Sequence, residues 1–281
     1  MTVVPILLYH SVSSDPEPWI APYSVTPTAF AGQVEAMAAS GRTPMTVSEF
    51  VAASSGYGTL PDRPLVVTFD DGFADFPWAA EILAAESISS TLYVTTGALR
   101  GRPPTPLHIP PAPMLAWSQL RELDGLGVEI GAHTHTHPQL DILPTSAVTD
   151  EVQRSKGLLE EFLGRPVPSF AYPHGFHSAR VHAAVARAGC TSACAVMNAL
   201  SSSSDRPLIL ARLTVRADTP SAEIALWLAG CGAPIAPYPE RWRTGAWRTY
   251  RRLRGTRSSR GVFVRPPGKP SRQAPTSNRS Q

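Results

Sequence analysis

Short apolar runs of strand length recur along this chain, alternate with helical patterns, and repeatedly end in a side chain able to bind a metal or move a proton. Val3 to Tyr9 is one such run, and His10 follows it. Leu65 to Phe69 leads into Asp70-Asp71, Thr91 to Thr95 into Thr96, and Val128 to Ala132 into His133, while Ser169 to Tyr172 ends on a tyrosine. Ser192 to Val196 and Ile209 to Val215 complete the set. Between the runs lie helix signals. Thr26-Pro27 pairs a capping residue with a proline at the first helical position, and Phe30, Val34 and Met37 then repeat on one face. Thr46 to Glu49 has the capping-box spacing. Leu120, Leu123 and Leu126 mark another helix. Val148, Val152, Leu159 and Phe162 mark a longer one, stopped by Gly164 and Pro166. Ser178 caps a helix that ends near Ala188, with Gly189 beyond it.

The pattern amounts to about seven β/α repeats and predicts a mostly parallel sheet flanked by helices. An open doubly wound sheet fits the alternation equally well, but it gathers ligands at a single crevice. Here the polar residues follow five strand ends. A barrel enzyme places its chemistry on such a rim. The expected fold is therefore α/β, a distorted (β/α)7 barrel.

A chain of 281 residues, 43% hydrophobic, can build that barrel as one domain. The net charge of +3 conceals an asymmetry: from Glu240 onward twelve Arg/Lys face one acid, whereas the first 239 residues carry a net charge of −8. Residues 1–235 are read as the catalytic domain and 236–281 as a basic tail, largely disordered after about residue 255. Trp242, Trp247 and Tyr250 suggest a last packed helix before that end. A weaker reading has the tail arginines touch an anionic membrane. No nucleic-acid-binding motif accompanies the charge. Gly101 to Pro113 is a proline-rich loop, expected on the rim or as a lid. Cys190, Cys194 and Cys231 lack metal-type spacing and read as buried thiols of a reducing compartment. The N-terminal stretch has no signal-peptide pattern, and no apolar run reaches membrane-spanning length, so the expected location is cytoplasmic. The sequence leaves oligomeric state open.

Two motifs carry chemistry. Thr68-Phe69-Asp70-Asp71-Gly72 sets two carboxylates side by side after a strand. Their charges repel, and a bound cation relieves the conflict by engaging one and leaving the other as a base. A helix cap with a solvated turn is the competing reading. Gly131 to Pro138 then places three histidines within five residues. A helical turn would put His133 and His137 on one face; an extended segment would let His135 join them. Two histidines and a carboxylate form a set that leaves positions open for water and substrate. A polar surface loop is the alternative.

These motifs resemble the NodB-type polysaccharide deacetylases, carbohydrate esterase family 4. The family's Thr-Phe-Asp-Asp-Gly motif stands at 68–72 and its His-[Ser/Thr]-x-x-His motif at 133–137. Phe170-Ala171-Tyr172-Pro173-His174-Gly175 is a variant of its third motif, and Tyr9-His10 resembles the branch that opens on a Tyr-His strand. The likeness spans residues 4 to 216. It implies a metal-dependent hydrolase that removes N-acetyl groups from a glycan or glycoconjugate. Asp71, His133 and His137 would hold a divalent metal, most often zinc, and Asp70 would be the general base. The metal and a backbone N–H, by analogy that of His174, would hold the oxyanion.

Two departures stand out. The third-motif arginine that tethers the base in many members is replaced by Ala171, leaving Arg165 or another rim residue to orient Asp70. The late Leu-x-x-His motif, whose histidine is the usual general acid, appears as Leu210-Ala211-Arg212-Leu213. His10 then becomes the candidate proton donor, against the alternative of a core histidine bonded to a backbone carbonyl. His174 and His177 are weaker candidates. His108 and His182 receive no role. Two other functions remain compatible with the same residues: hydrolysis of a cyclic amide or imide, and non-catalytic carbohydrate binding.

Overall fold

The computed structural model describes residues 1–238. The expected last helix, the disordered end and the membrane contact of the tail all lie outside the described residues. Eight short strands build the central sheet: β1 (Ile6–Tyr9), β2 (Thr43–Met45), β3 (Pro64–Phe69), β4 (Ser90–Val94), β5 (Val128–Ala132), β6 (Ser169–Ala171), β7 (Ser192–Cys194) and β8 (Leu213–Thr214). The path runs β7-β6-β5-β4-β3-β1-β8, and every pairing in it is parallel. β2 lies beside the first half of β3, with Thr43 opposite Pro64 and Met45 opposite Val66.

The two ends of the path meet. Leu210 N–H donates to the Ala193 carbonyl at 2.9 Å, and Ala195 N–H donates to the Leu210 carbonyl at 2.9 Å. Three residues later the same segment pairs with β1, Leu213 opposite Leu7. Residues 210–214 thus close a distorted (β/α)7 barrel, as the repeat pattern predicted. The seam is thin: Ala211 N–H donates to the Asp205 side chain at 3.0 Å instead of to a neighbouring strand. The expected strand over Ile209 to Val215 accordingly shrinks to two regular residues. Pro5 likewise splits the first run, because proline brings no N–H to the ladder; Val3–Val4 pair separately with Ser201–Ser202.

Among the described residues seven α-helices flank the sheet: α1 (Pro27–Ala39), α2 (Val47–Ser54), α3 (Phe76–Ala85), α4 (Gln119–Asp124), α5 (Thr145–Leu163), α6 (Ala179–Arg187) and α7 (Ser221–Leu228). The cap signals act as read: Thr26 accepts from Ala29 N–H at 3.2 Å, Thr46 and Glu49 close a capping box, and Gly164 ends α5 at φ 71°. Neither α3 nor α7 follows from the sequence pattern. Alanines and large apolar residues fall on most faces of Phe-Pro-Trp-Ala-Ala-Glu-Ile-Leu-Ala-Ala, which blurs its period, and α7 is only eight residues long.

Strand periodicity divides the apolar residues into two clusters. Leu65, Val67, Phe69, Leu92, Val94 and Ile130 pack toward the helices. Val66, Ile6, Tyr93, Ala171, Cys194 and Leu210 fill the barrel interior, joined by Met45, Val47 and Phe50 from β2 and α2. α2 thereby closes the end of the barrel where the strands begin, which leaves the opposite rim for chemistry. Packing inside is tight. A Cβ on Gly131 would lie 2.5 Å from the Tyr93 ring, so glycine is required where that ring crosses β5. The Tyr93 hydroxyl is satisfied by Ser169 Oγ at 2.7 Å. Cys190 and Cys194 are buried free thiols, but Cys231, in the Gly230–Gly232 turn after α7, is exposed, contrary to expectation. Among the described residues no helix is long and apolar enough to cross a membrane.

Candidate metal centre and active site

The loops that leave β3, β5 and β6 converge on the rim, and each contains a non-glycine residue in the left-handed region. These are Asp71 (φ 76°), Thr134 (φ 65°), His137 (φ 62°) and His174 (φ 57°). Such backbone costs about 1–3 kcal/mol per residue and persists only where the surroundings fix it. Here backbone hydrogen bonds between strand ends do so: Asp70 N–H to Tyr9 O, Thr95 N–H to Asp71 O, His133 N–H to Val94 O and Thr96 N–H to Thr134 O. The histidine segment is neither a helical turn nor extended. Its two left-handed residues, with His137 N–H donating to Thr134 Oγ1 at 3.0 Å, bring His133 and His137 together. The same turns send His135 elsewhere, and its Nδ1 bonds Thr96 Oγ1 at 2.9 Å.

Asp71 Oδ1 lies 3.1 Å from His137 Nε2 and 3.4 Å from His133 Nε2. The three side chains offer ligand atoms that all lie within 4.8 Å of one another, and all three residues are buried. His133 Nδ1 is 2.8 Å from the Ala171 carbonyl, which can only accept, so Nδ1 carries the hydrogen and a neutral ring aims its Nε2 lone pair at Asp71. Asp71 Oδ1 has no hydrogen-bond partner among the described residues. Lone pairs facing a buried carboxylate need positive charge between them. Burial acts to raise the Asp71 pKa, but His137 and His133 outweigh it and hold the carboxyl well below its usual range. Burial acts to lower the His133 pKa, yet Asp70 and Asp71 raise it above that of a free imidazole. A divalent metal fits these donors.

Beside this set, Asp70 is gripped by Arg212. The guanidinium donates Nη1 to Oδ1 at 2.7 Å and Nη2 to Oδ2 at 2.8 Å, and further donates to Thr68 Oγ1 at 3.2 Å and the Ala195 carbonyl at 3.0 Å. Arg212 is fully buried and Asp70 is 3% exposed. Burial pushes the Asp70 pKa up; Arg212, with His133 and His10, more than offsets it and keeps the carboxyl below its ordinary value. Arg165, considered from sequence as the tether, instead pairs with Asp124 at the surface. The replacement for the missing third-motif arginine therefore comes from the barrel seam. The signal was in the sequence: an arginine alternating inward from Ile209-Leu210-Ala211 must be paired if it is buried.

His10 follows β1 onto the same rim. Its ring lies tilted against Tyr23 at 5.4 Å, and Arg216 sits over the Tyr23 ring at 4.9 Å. Its Nδ1 has no partner among the described residues. Burial lowers its pKa while Asp71 and Asp70 act to raise it. His174 is exposed at the mouth, its ring edge-on to His137 at 4.7 Å. His177 and His182 share a 2.9 Å contact beside Tyr172. The proline-rich loop is a rim element: Trp19 Nε1 donates to Pro111 O at 3.2 Å and His108 N–H to Thr136 O at 2.8 Å.

The polysaccharide deacetylase family model matches residues 57–193, which include Asp70, Asp71, His133, His137 and the Tyr172–Gly175 turn. Over this stretch the chain carries a polysaccharide deacetylase domain. As a polysaccharide deacetylase it is a hydrolase of carbon–nitrogen bonds other than peptide bonds. His10 and Arg212 lie outside the matched stretch. Solved structures with the same fold include the Streptococcus pyogenes deacetylase PplD in complex with acetate, 24% identical, covering 77% of this chain and 94% of that one, TM-score 0.68. IcaB from Ammonifex degensii is 23% identical over 81% and 97% of the two chains, TM-score 0.68. A de-N-acetylase from Aggregatibacter actinomycetemcomitans is 21% identical over 79% and 98%, TM-score 0.68. At these identities the likeness establishes the fold. No curated protein matches the sequence.

Proposed function

We propose that this deacetylase is a metal-dependent enzyme that removes N-acetyl groups from a glycan or glycoconjugate, with Asp71, His133 and His137 as metal ligands and zinc as the metal. The observation that carries the reading is the convergence of two imidazole Nε2 atoms on one oxygen of Asp71, beside a second carboxylate held in place by Arg212. Two nitrogens and one oxygen suit zinc and leave positions open. When bound there, the metal would lower the pKa of a water to about 7 and polarise the amide carbonyl. The catalytic unit is taken as residues 1–235, with 236–281 as a basic tail.

Asp70 would take the proton as the water oxygen bonds to the acetyl carbon. Its own two oxygens are oriented by Arg212, so its position does not depend on the ligand set. The backbone N–H of His174, on the turn beside His137, would help hold the oxyanion. Breaking the C–N bond then requires a proton at the departing nitrogen, and His10 would supply it. Burial lowers its pKa below the usual imidazole value, and Asp71 and Asp70 offset only part of that effect. The products are acetate and a free amine.

Acetate release from chitin oligomers, peptidoglycan fragments and small N-acetyl sugars tests the whole reading. Release is expected from at least one class, abolished by a chelator and restored by zinc; release that survives full metal removal would overturn it. His10→Ala is expected to lower kcat by about 10²- to 10⁴-fold, the range for a general acid, while metal content stays unchanged. A near-normal rate removes His10 from the mechanism.

A further inference from the structure

Glu151 lies on α5, outside the residues assigned above, yet its side chain faces the segment between the two histidine ligands. One carboxylate oxygen accepts both the His135 and Thr136 N–H groups, each at 2.8 Å. The other accepts the Thr136 hydroxyl at 2.6 Å. Two successive amides aimed at one anion form a backbone nest, and here an internal carboxylate fills it. The carbonyls of the same two residues are taken from the opposite side, His135 O by Gly97 N–H and Thr136 O by His108 N–H, both at 2.8 Å. The segment between the ligands is thereby fixed on both edges. Among the described residues only Glu151 supplies the acceptors for its N–H groups, and α5 is a 19-residue helix packed on the barrel.

We infer that Glu151 is a positioning residue for the metal centre, a role that rests on the ligand assignment proposed above. Thr134 and His137 both hold left-handed backbone. Without the nest's anion, nothing on α5 would hold His135 and Thr136 in the turn that aims His133 and His137 at the same Asp71 oxygen. Residues that orient metal ligands typically change affinity by about 10- to 100-fold when removed.

The test is zinc affinity of the metal-stripped full-length protein, measured by competition with a chromophoric chelator, together with the melting temperature of each metal-free variant. Glu151→Ala is expected to bind zinc about 10- to 100-fold more weakly. Glu151→Gln keeps an acceptor for both N–H groups and is expected to stay within a few-fold of the unaltered protein. His133→Ala tests the underlying assignment. If the unaltered protein and His133→Ala bind zinc alike, the ligand assignment has failed and Glu151 is not the reason. If His133→Ala loses zinc but Glu151→Ala binds as tightly as the unaltered protein, the inference about Glu151 is overturned. A lower metal-free melting temperature with unchanged affinity overturns it too, since that is a purely structural role. Should Glu151→Ala fail to fold, Glu151→Asp decides: it keeps the charge, withdraws it by one methylene, and must also weaken zinc binding.

Discussion

Replacing Arg212 with methionine is expected to destabilise the protein by about 3–5 kcal/mol at neutral pH, the cost of leaving a buried charge without its partner, and to lower kcat by about 10²-fold or more. Arg212 is fully buried and binds both oxygens of Asp70. Methionine fills much of the volume but supplies no donors, so Asp70 loses two and Thr68 and the Ala195 carbonyl lose one each. In the intact protein Asp70 is depressed below its unfolded pKa. Its stabilisation is therefore present above the unfolded value, about 4, and is lost as pH falls through the lower folded value. Without Arg212, burial has less to oppose it and the Asp70 pKa rises. The acid limb of the kcat profile should move to higher pH, and the stability deficit should shrink as the medium becomes acid enough to neutralise Asp70. Lysine offers a single point charge where a planar fork is needed, so Arg212→Lys should recover only part of either property. In an Asp70→Asn background the cost of Arg212→Met should fall sharply, because the charge that made the pair necessary has gone. An Arg212→Met protein with unaltered melting temperature and acid limb would show that the pair does not orient the base.

That pair also marks where the sequence was legible and where it was not. The β/α alternation, the capped helices and the candidate Asp-His-His set depend on local signals: apolar runs, Thr26, Thr46 and Gly164 at helix ends, and Asp-Asp and His-x-x-x-His directly after strands. Each expresses its structure within a few residues, and the barrel brings the strand ends together without further instruction. Arg212 meets Asp70 across the barrel seam, 142 positions away in sequence, so the local pattern signals a buried arginine in need of a partner but not that the partner is Asp70. Its absence from the third motif was visible, but its replacement required the closure of the barrel. Glu151 was hidden for a similar reason. On an amphipathic helix a glutamate reads as a solvated residue until the loop that it accepts from is known. The path of the histidine segment was open between helical and extended, and the outcome was neither, because left-handed residues at Thr134 and His137 carry no strong signature outside glycine. α3 was missed where apolar residues on most faces hid its period.

Asp71→Ala and His133→Ala are each expected to abolish stoichiometric zinc binding and to reduce acetate release to background, although neither touches Asp70's tie to Arg212. A set of three protein ligands has no spare member: two remaining donors cannot reproduce the site, and the histidines are already fixed by Ala171 and by the turn through Thr134. Elemental analysis after dialysis measures the loss directly. Thermal melting supplies an independent readout. Zinc at 100 times its Kd stabilises a protein that binds it only when folded by about 2.7 kcal/mol, which for a domain of this size raises Tm by about 5–11 °C. The unaltered protein should show that rise, and both variants should show none. The pH dependence has a defined sign. Metal binding needs neutral histidines, and the Asp70 and Asp71 charges raise the His133 pKa above that of a free imidazole. Protons therefore compete for this ligand from a higher pH than at an ordinary histidine, and zinc affinity should fall as pH drops. Asp71→Ala removes one of the charges that raise His133, so any residual metal binding in that variant should lose part of this pH dependence. Full-occupancy zinc in both variants would place the metal elsewhere and separate the deacetylase chemistry from these three residues.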